Sequence, residues 1–304
     1  MPTNRNVVRT ALFLSFLLGT AFAQQHTPEL REDYVTTTTG IRIHCLESGE
    51  HGSKRVLVVI PGWRLPAFLW NEQIKKFAPI IRVVAFDPRS QGKSTKVSEN
   101  NTPEARAQDL HDLLNMLGIS DPILVGWSQG AQDVAAYIQQ FGADSVAGVV
   151  FVDTAVSAGP TEIEIARPFS KIILSEISDY ASHPKEFSAG MVQSLFKKPH
   201  PELDMQQIVQ STLETPTETG IAMLVSDIFG VDRRSGLTKL KKPTLVIGSS
   251  ESPLIEFEKE MAASIPGTKP VFIGGTGHAV FIDEPQRFNT ALKNFLQSLP
   301  PAPR

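Results

Sequence analysis

The hydrophobic positions of this chain switch repeatedly between two spacings, and each switch predicts an element. Short apolar runs of strand length stand at Val56–Ile60, Ile80–Phe86, Pro122–Val125, Val146–Val152, Thr244–Ile247 and Lys269–Ile273. Runs that are apolar at nearly every position suit strands covered on both faces, as in a parallel sheet. Between them the spacing lengthens to i, i+3, i+4, i+7: Leu110, Leu113, Leu114 and Leu117, then Ala131, Val134, Ala135 and Ile138, and near the end Phe288, Ala291, Leu292 and Phe295. Each such set predicts a helix with one buried face. Thr102 followed by Pro103 starts the first, and Gly142 closes the second. Further helices are expected over Leu69–Phe77 and Leu254–Ile265. At the front, Tyr34–Thr38 and Ile41–Leu46, rich in β-branched residues and joined at Thr39-Gly40, read as an antiparallel hairpin.

Strands alternating with helices predict an α/β fold, a mostly parallel central sheet with helices on both faces. From about 155 to 240 the texture changes. Pro, Ser and charged residues mix with helix-like segments carrying Ile172, Ile173, Phe187, Met191, Phe196, Met205, Ile208, Met223 and Phe229. This stretch reads as a helical cap inserted between strands, which divides the chain into a first core part (24–154), the cap (155–240) and a second core part (241–304). Pro300–Arg304 reads as a frayed tail. Residues 1–23 stand apart: Arg5 and Arg9 precede an apolar run from Ala11 to Leu18 and an Ala21-Phe22-Ala23 cleavage pattern, the layout of a secretory signal. The run ending at Ala23 is shorter than a spanning helix needs, so the expectation is export to a periplasmic or extracellular space, with no membrane span in the mature chain.

Composition narrows the partners. The 304 residues are 41% hydrophobic and 20% charged, with 29 basic residues against 32 acidic, and removing the signal takes Arg5 and Arg9 with it. An acidic balance argues against nucleic acid. One cysteine, Cys45, allows no intrachain disulfide, and its alternation with Ile41 and Ile43 places it as a buried small hydrophobe.

The chemistry gathers around Gly126-Trp127-Ser128-Gln129-Gly130. A serine delivered by a strand into a sharp turn before a helix needs glycine two residues before and two after, because strand and helix pass very close there. Serine is a poor nucleophile at neutral pH and needs a base and a carboxylate to orient it. His278 follows the last strand on the glycine-rich loop Gly274-Gly275-Thr276-Gly277, and is the candidate base. Trp63 ends the strand at Ile60 through Pro61-Gly62, where open α/β sheets bind ligands. It is either an oxyanion donor through its backbone N–H or an aromatic closing the core edge, and both can hold at once. Gly92-Lys93-Ser94 copies the end of a phosphate loop, but Asp87 stands where that loop requires glycine and would repel phosphate.

With Pro61-Gly62-Trp63, the Asp87–Ser94 loop, the Gly126–Gly130 turn, and Thr276–Phe281 followed by Asp283-Glu284-Pro285, the chain from about Ile41 to Leu296 resembles the α/β-hydrolase family. It is most similar to the haloperoxidase and arylesterase branch. The resemblance implies that fold with an inserted helical cap, a triad in the order Ser128, acid, His278, and an oxyanion hole from the backbone N–H groups of Trp63 and Gln129. No metal or other cofactor is implied. Pro61 stands where the family has histidine, and Gln129 where the branch often has methionine.

For the acid the resemblance leaves two candidates. Glu251, in Gly248-Ser249-Ser250-Glu251, occupies the turn where the family usually carries it. Asp153, ending Val149-Val150-Phe151-Val152, matches members that carry it one strand earlier, and is taken ahead of Glu251 because a carboxylate at the end of a buried strand needs a partner. Glu251 otherwise reads as surface charge beside Glu256, Glu258 and Glu260.

Haloalkane dehalogenases and epoxide hydrolases of the family use aspartate at the position of Ser128, which turns the reading toward hydrolysis of a carboxylic ester or related small acyl substrate through an acyl-Ser128 intermediate. Peracid formation, carbon–carbon bond hydrolysis, and ligand binding without turnover on the same fold stay open, as does the oligomeric state. The exported protein is expected to begin at Gln24, and mass spectrometry finding Met1 intact in it would overturn that expectation.

Overall fold

A computed structural model describes residues 28–154, 156, 168–229 and 233–302; within these, the side chains of 168–174, 229 and 235 are outside the description. The expected signal segment, and the side chains of Ile172, Ile173 and Phe229, therefore lie outside the described residues. The front hairpin forms as β1 (Arg31–Thr36) and β2 (Arg42–Ser48), paired antiparallel. Next to β2, also antiparallel, lies β4 (Arg82–Phe86). Beyond it β3 (Arg55–Ile60), β5 (Asp121–Trp127), β6 (Gly148–Val152), β7 (Thr244–Ser249) and β8 (Val271–Ile273) continue in parallel. The eight strands run β1-β2-β4-β3-β5-β6-β7-β8.

Successive side chains of a strand point to opposite faces, so the central strands feed two cores. Val56, Val58 and Ile60 pack with Leu110, Leu113 and Leu114 of α2 (Pro103–Met116) and Val134 of α3 (Gln129–Phe141). Leu57 and Val59 pack with Ile74 and Phe77 of α1 (Asn71–Phe77) and with Phe288 and Leu292 near the C-terminus. Thr102 caps α2 by accepting from the Ala105 N–H at 3.2 Å, which satisfies one of the helix's orphan donors. Several edges differ from the sequence reading: the first strand, expected over Tyr34–Thr38, runs Arg31–Thr36, and those expected from Val146 and Lys269 start at Gly148 and Val271. A 3-10 turn over Ala67–Trp70 leads into α1. The strand expected from Ile80 starts at Arg82, leaving Ile80 63% exposed, because the Ile80 and Ile81 N–H groups both donate back to the Phe77 carbonyl at 2.9 and 3.0 Å in the turn after α1.

Between β6 and β7 stand five described helices: α4 (Pro168–Ser182), α5 (Pro184–Ser194), α6 (Met205–Leu213), α7 (Thr217–Phe229) and α8 (Arg234–Leu237). Ile208 and Met223 are buried. Following β7 come α9 (Ile255–Ser264), a single turn α10 (Val280–Asp283) after β8, and α11 (Pro285–Ser298). No helix among the described residues is long and apolar enough to cross a membrane.

The insertion is tied to the sheet by charge. Arg106 of α2, fully buried, reaches Asp133 of α3 and Asp227 of α7, each at 2.7 Å. Burial holds both aspartates above the usual carboxylate range, Asp133 at about 7, in opposition to the pull of Arg106. Removing Arg106 takes away the guanidinium both aspartates bond to, in a site closed to water where Arg233 is the remaining cation that acts on them. Arg106→Ala is therefore expected to lose about 3–5 kcal/mol in urea denaturation, and a loss below about 1 kcal/mol would show that the insertion is held by other contacts.

Candidate active site

β5 and α3 meet at Ser128, whose backbone sits at φ 53°, ψ −119°. A residue with a side chain pays strain for a positive φ and keeps it only where its surroundings enforce it. Here they do. A Cβ on Gly126 would lie 2.5 Å from the Gly130 carbonyl oxygen and 2.6 Å from the Ala131 Cα, and one on Gly130 would lie 2.6 Å from the Ile60 carbonyl oxygen. Only glycine lets the helix start this close to β3 and β5. Ser128 is further held by its own N–H, which donates to the Val152 carbonyl at 3.0 Å, and by its carbonyl, which accepts from Thr154 Oγ1 at 3.1 Å.

Asp153 follows β6 with φ 42° and is 1% exposed. Its Oδ2 lies 2.6 Å from His278 Nδ1, its Oδ1 accepts from the Ser249 N–H at 2.8 Å, and Ser252 Oγ donates to Oδ2 at 3.3 Å. A carboxylate so bonded fixes the ring with hydrogen on Nδ1 and Nε2 free to take a proton. The histidine loop is held from both sides. Trp127 Nε1 donates to the His278 carbonyl at 3.0 Å, and the buried Asp283 accepts from the Gly277 N–H at 2.6 Å and the Lys197 N–H at 2.9 Å. Asp283 also faces His200 at 2.8 Å; burial works against the charged imidazole, but Asp283 and Glu202 raise His200 above its ordinary value.

Ser128, Asp153 and His278 line one cavity of about 490 Å³ whose other walls are largely apolar. Trp63 meets Tyr180 and Phe187 edge to face, Tyr180 and Phe187 meet tilted, and Met191, Leu195 and Phe196 also line the cavity. Trp63 is pinned by its Nε1, which donates to the Gly220 carbonyl at 2.9 Å. Gly62 stands beside the nucleophile; a Cβ there would press on Ser128 Cβ at 3.2 Å. Neither the Trp63 nor the Gln129 backbone N–H donates to any group among the described residues; Trp63 lines the cavity and Gln129 directly follows Ser128.

Glu251 lies apart from His278. It is exposed at the cavity mouth, pairs with Lys197 at 2.7 Å and accepts from the Gly275 N–H at 2.9 Å, and these contacts lower its carboxyl below the usual range. Among the described residues no group of three or more histidine, cysteine or acidic side chains could hold a metal ion. Cys45 is buried, and burial raises its thiol. Asp87, read from sequence as part of a turn-rich loop, organises that loop: its carboxylate accepts from the Ala67 and Lys93 N–H groups at 2.7 and 2.8 Å and meets His44 Nδ1 at 2.7 Å, and it fills the space a Cβ on Gly92 would need.

Two features escaped the sequence reading. The Gln129 side chain is clamped between Asp227, to which its amide donates, and Gln91, whose amide donates to it at 3.2 Å, so the insertion holds the residue after Ser128. Glu258, grouped with surface charge, is wholly buried and accepts from the Thr154 N–H at 2.8 Å. Its spacing with Leu254, Met261, Ala262 and Ile265 was the available signal, since i, i+4, i+7, i+8 and i+11 share one helix face.

Comparison with known proteins agrees with this geometry. A family model described as alpha/beta hydrolase fold matches residues 55–285. The non-heme chloroperoxidase CPO-A1 of Kitasatospora aureofaciens is 26% identical over 280 residues, covering 86% of this chain and 98% of that protein. The bifunctional esterase/perhydrolase DCH of Acinetobacter calcoaceticus is 24% identical over 290 residues, covering 87% and 99%. Among solved structures, an esterase from Exiguobacterium antarcticum superimposes with a TM-score of 0.77 at 20% identity, covering 88% of this chain and all of that one.

The two carboxylates separate cleanly by substitution. Asp153→Asn is expected to lower turnover by about 10⁴ by favouring the wrong imidazole tautomer, whereas Glu251→Gln, which gives up the exposed pair with Lys197 but keeps an acceptor for the Gly275 N–H, should leave it nearly unaltered. Steady-state kinetics giving the reverse pattern would move the orienting role to Glu251.

Proposed function

Because the chain belongs to the α/β-hydrolase family and is similar to its haloperoxidase and arylesterase-like members, we propose that it hydrolyses carboxylic esters or related acyl substrates through an acyl-Ser128 intermediate. The observation that carries this reading is the 2.6 Å contact between His278 Nδ1 and the buried Asp153, in the same cavity as a serine on a strained turn.

In this mechanism Ser128 Oγ attacks the ester carbonyl carbon while His278 Nε2 takes its proton. Asp153 stabilises the imidazolium that results. The carbonyl oxygen, now negative, is held by the N–H groups of Trp63 and Gln129, each worth roughly 2.7–4 kcal/mol of transition-state stabilisation if it behaves as a typical oxyanion donor. Collapse breaks the bond to the alcohol oxygen, which leaves with the proton from His278, and Ser128 stays acylated. Water then attacks the acyl carbon as His278 removes its proton, and the second collapse returns the proton to Ser128 Oγ and releases the carboxylic acid. The aromatic and aliphatic walls favour an apolar acyl or aryl group over a polar one.

A second reading draws on the relative that is named a bifunctional esterase/perhydrolase. If hydrogen peroxide replaces water in the second half, the same acyl-enzyme yields a peracid.

Ser128→Ala is expected to lower p-nitrophenyl ester turnover by about six orders of magnitude, and a fluorophosphonate should label the wild type at Ser128. Labelling that survives in Ser128→Ala, or wild-type protein that binds the ester without sustained turnover, would overturn the proposal.

A further inference from the structure

The turn that carries Asp153 is supported from below by a second carboxyl group. Glu258 comes up from α9, the helix after β7, and its Oε1 accepts from the N–H of Thr154, the residue next to Asp153. Its Oε2 has no hydrogen-bond partner among the described residues and lies against the Cα of Gly248, in the space a Cβ at that position would occupy. Glycine at 248 is thus required by the carboxyl group that packs on it.

Burial first, and the neighbouring Asp153 carboxylate second, push Glu258 up to about 9, against a smaller opposing effect of the Thr154 N–H. At neutral pH it carries a proton. The charged groups that face it are Asp153 from the end of β6 and, one hydrogen bond further, His278 from the loop after β8. β7 and the turn into α9 bring Gly248, Ser249 and Ser252, none of which ionises in this range, and on its own helix Glu256 pairs with Lys259 at the surface. An acid held in this way costs stability throughout neutral pH, since the unfolded chain would release the proton and the folded one cannot. A purely structural position would be better filled by an apolar side chain or by glutamine.

We propose that Glu258 is a positioning residue for the acid of the triad: its carboxyl group, packed on Gly248, fixes the Asp153–Thr154 turn through the Thr154 N–H and so holds the side chain that meets His278. The inference rests on the triad reading above. When Glu258 loses its proton, a second negative charge arrives beside Asp153 with no cation among the described residues to meet it, and the turn and the imidazole it orients are disturbed together.

The direction with pH follows from the raised value. Between the ordinary glutamate range near 4.5 and about 9, the folded protein holds one more proton than the unfolded chain, so this group erodes stability as pH climbs through that window.

Two variants test the proposal. E258Q keeps an acceptor for Thr154 without an ionisable group, and E258A removes both. The melting temperature of E258Q relative to wild type, measured without substrate, should rise steadily from pH 5 to pH 9 and then level off. In kcat/KM for a p-nitrophenyl ester, with Ser128→Ala as blank, the wild type should show an alkaline limb with half-loss near pH 9, and E258Q should lack it. At pH 7, E258A should lose roughly tenfold or more in kcat with KM little changed, and E258Q should recover most of that loss.

A melting difference that does not vary with pH, an alkaline limb retained in E258Q, or E258Q as impaired as E258A would each overturn the proposal. If E258A does not fold, the wild type and E258Q comparison decides alone. Absence of Ser128-dependent turnover in the wild type would strike the esterase reading instead, because the melting series needs no substrate.

Discussion

The upper edge of this molecule depends on how closely one helix can approach two strands. α3 begins within contact of β3 and β5 because Gly126 and Gly130 carry no Cβ, and that approach forces Ser128 into its left-handed conformation. Strain of this kind persists only where the surroundings over-determine it. The restraint comes from β6, whose last carbonyl takes the Ser128 N–H and whose following threonine hydroxyl returns a bond to the Ser128 carbonyl. Between that last strand residue, Val152, and Thr154 stands Asp153. The pairing of β5 with β6 therefore holds the strained turn and delivers the carboxylate to His278 in one register.

Around this edge the protein places charges where a purely stabilising design would not. Arg106 joins sheet-side helices to the insertion through two buried aspartates, and through Asp227 the same cluster reaches Gln129. Arg64, fully buried at φ 60°, sets its guanidinium over the rings of Trp63 and Tyr180 and donates to Ser188 and Thr212. Burial lowers Arg64 to about 10. Hydrophobic replacements of buried ion clusters are often neutral or stabilising, so the value of these groups lies in fixing one arrangement of the insertion, the Trp63–Arg64 turn and the Ser128 turn.

Much of this was legible in the chain, because the physics that makes strands and helices is local. Apolar runs located β3 to β8, β-branched residues around Thr39-Gly40 located the front hairpin with its first strand beginning three residues earlier than expected, and the glycines around Ser128 announced the close approach. What stayed hidden depended on partners distant in sequence. Arg106 stands four residues before Leu110 on the inner face of its helix, and Glu258 stands four after Leu254 on another. Their spacing marked both as buried, yet charge alone reads as exposure until the partner is known. Asp227, 121 positions from Arg106, could not be found from local pattern. Two carboxylates were open as the acid for the same reason: each follows a buried strand, and only the position of the imidazole in space separates them.

The contact between Asp153 and His278 is made from the end of β6, and not from the turn after β7, which has a consequence for how this scaffold can change. The segment after β7 lines the cavity and, through Ser252, also touches Asp153. Exchanges in its solvent-facing part that keep Ser252 in place can reshape which molecules enter while the Asp153–His278 contact stays anchored to the sheet. Entry and contact thus rest on different parts of the chain, a rim that can vary and a rigid strand end, a division that favours the acquisition of new specificities by lineage drift or by directed evolution.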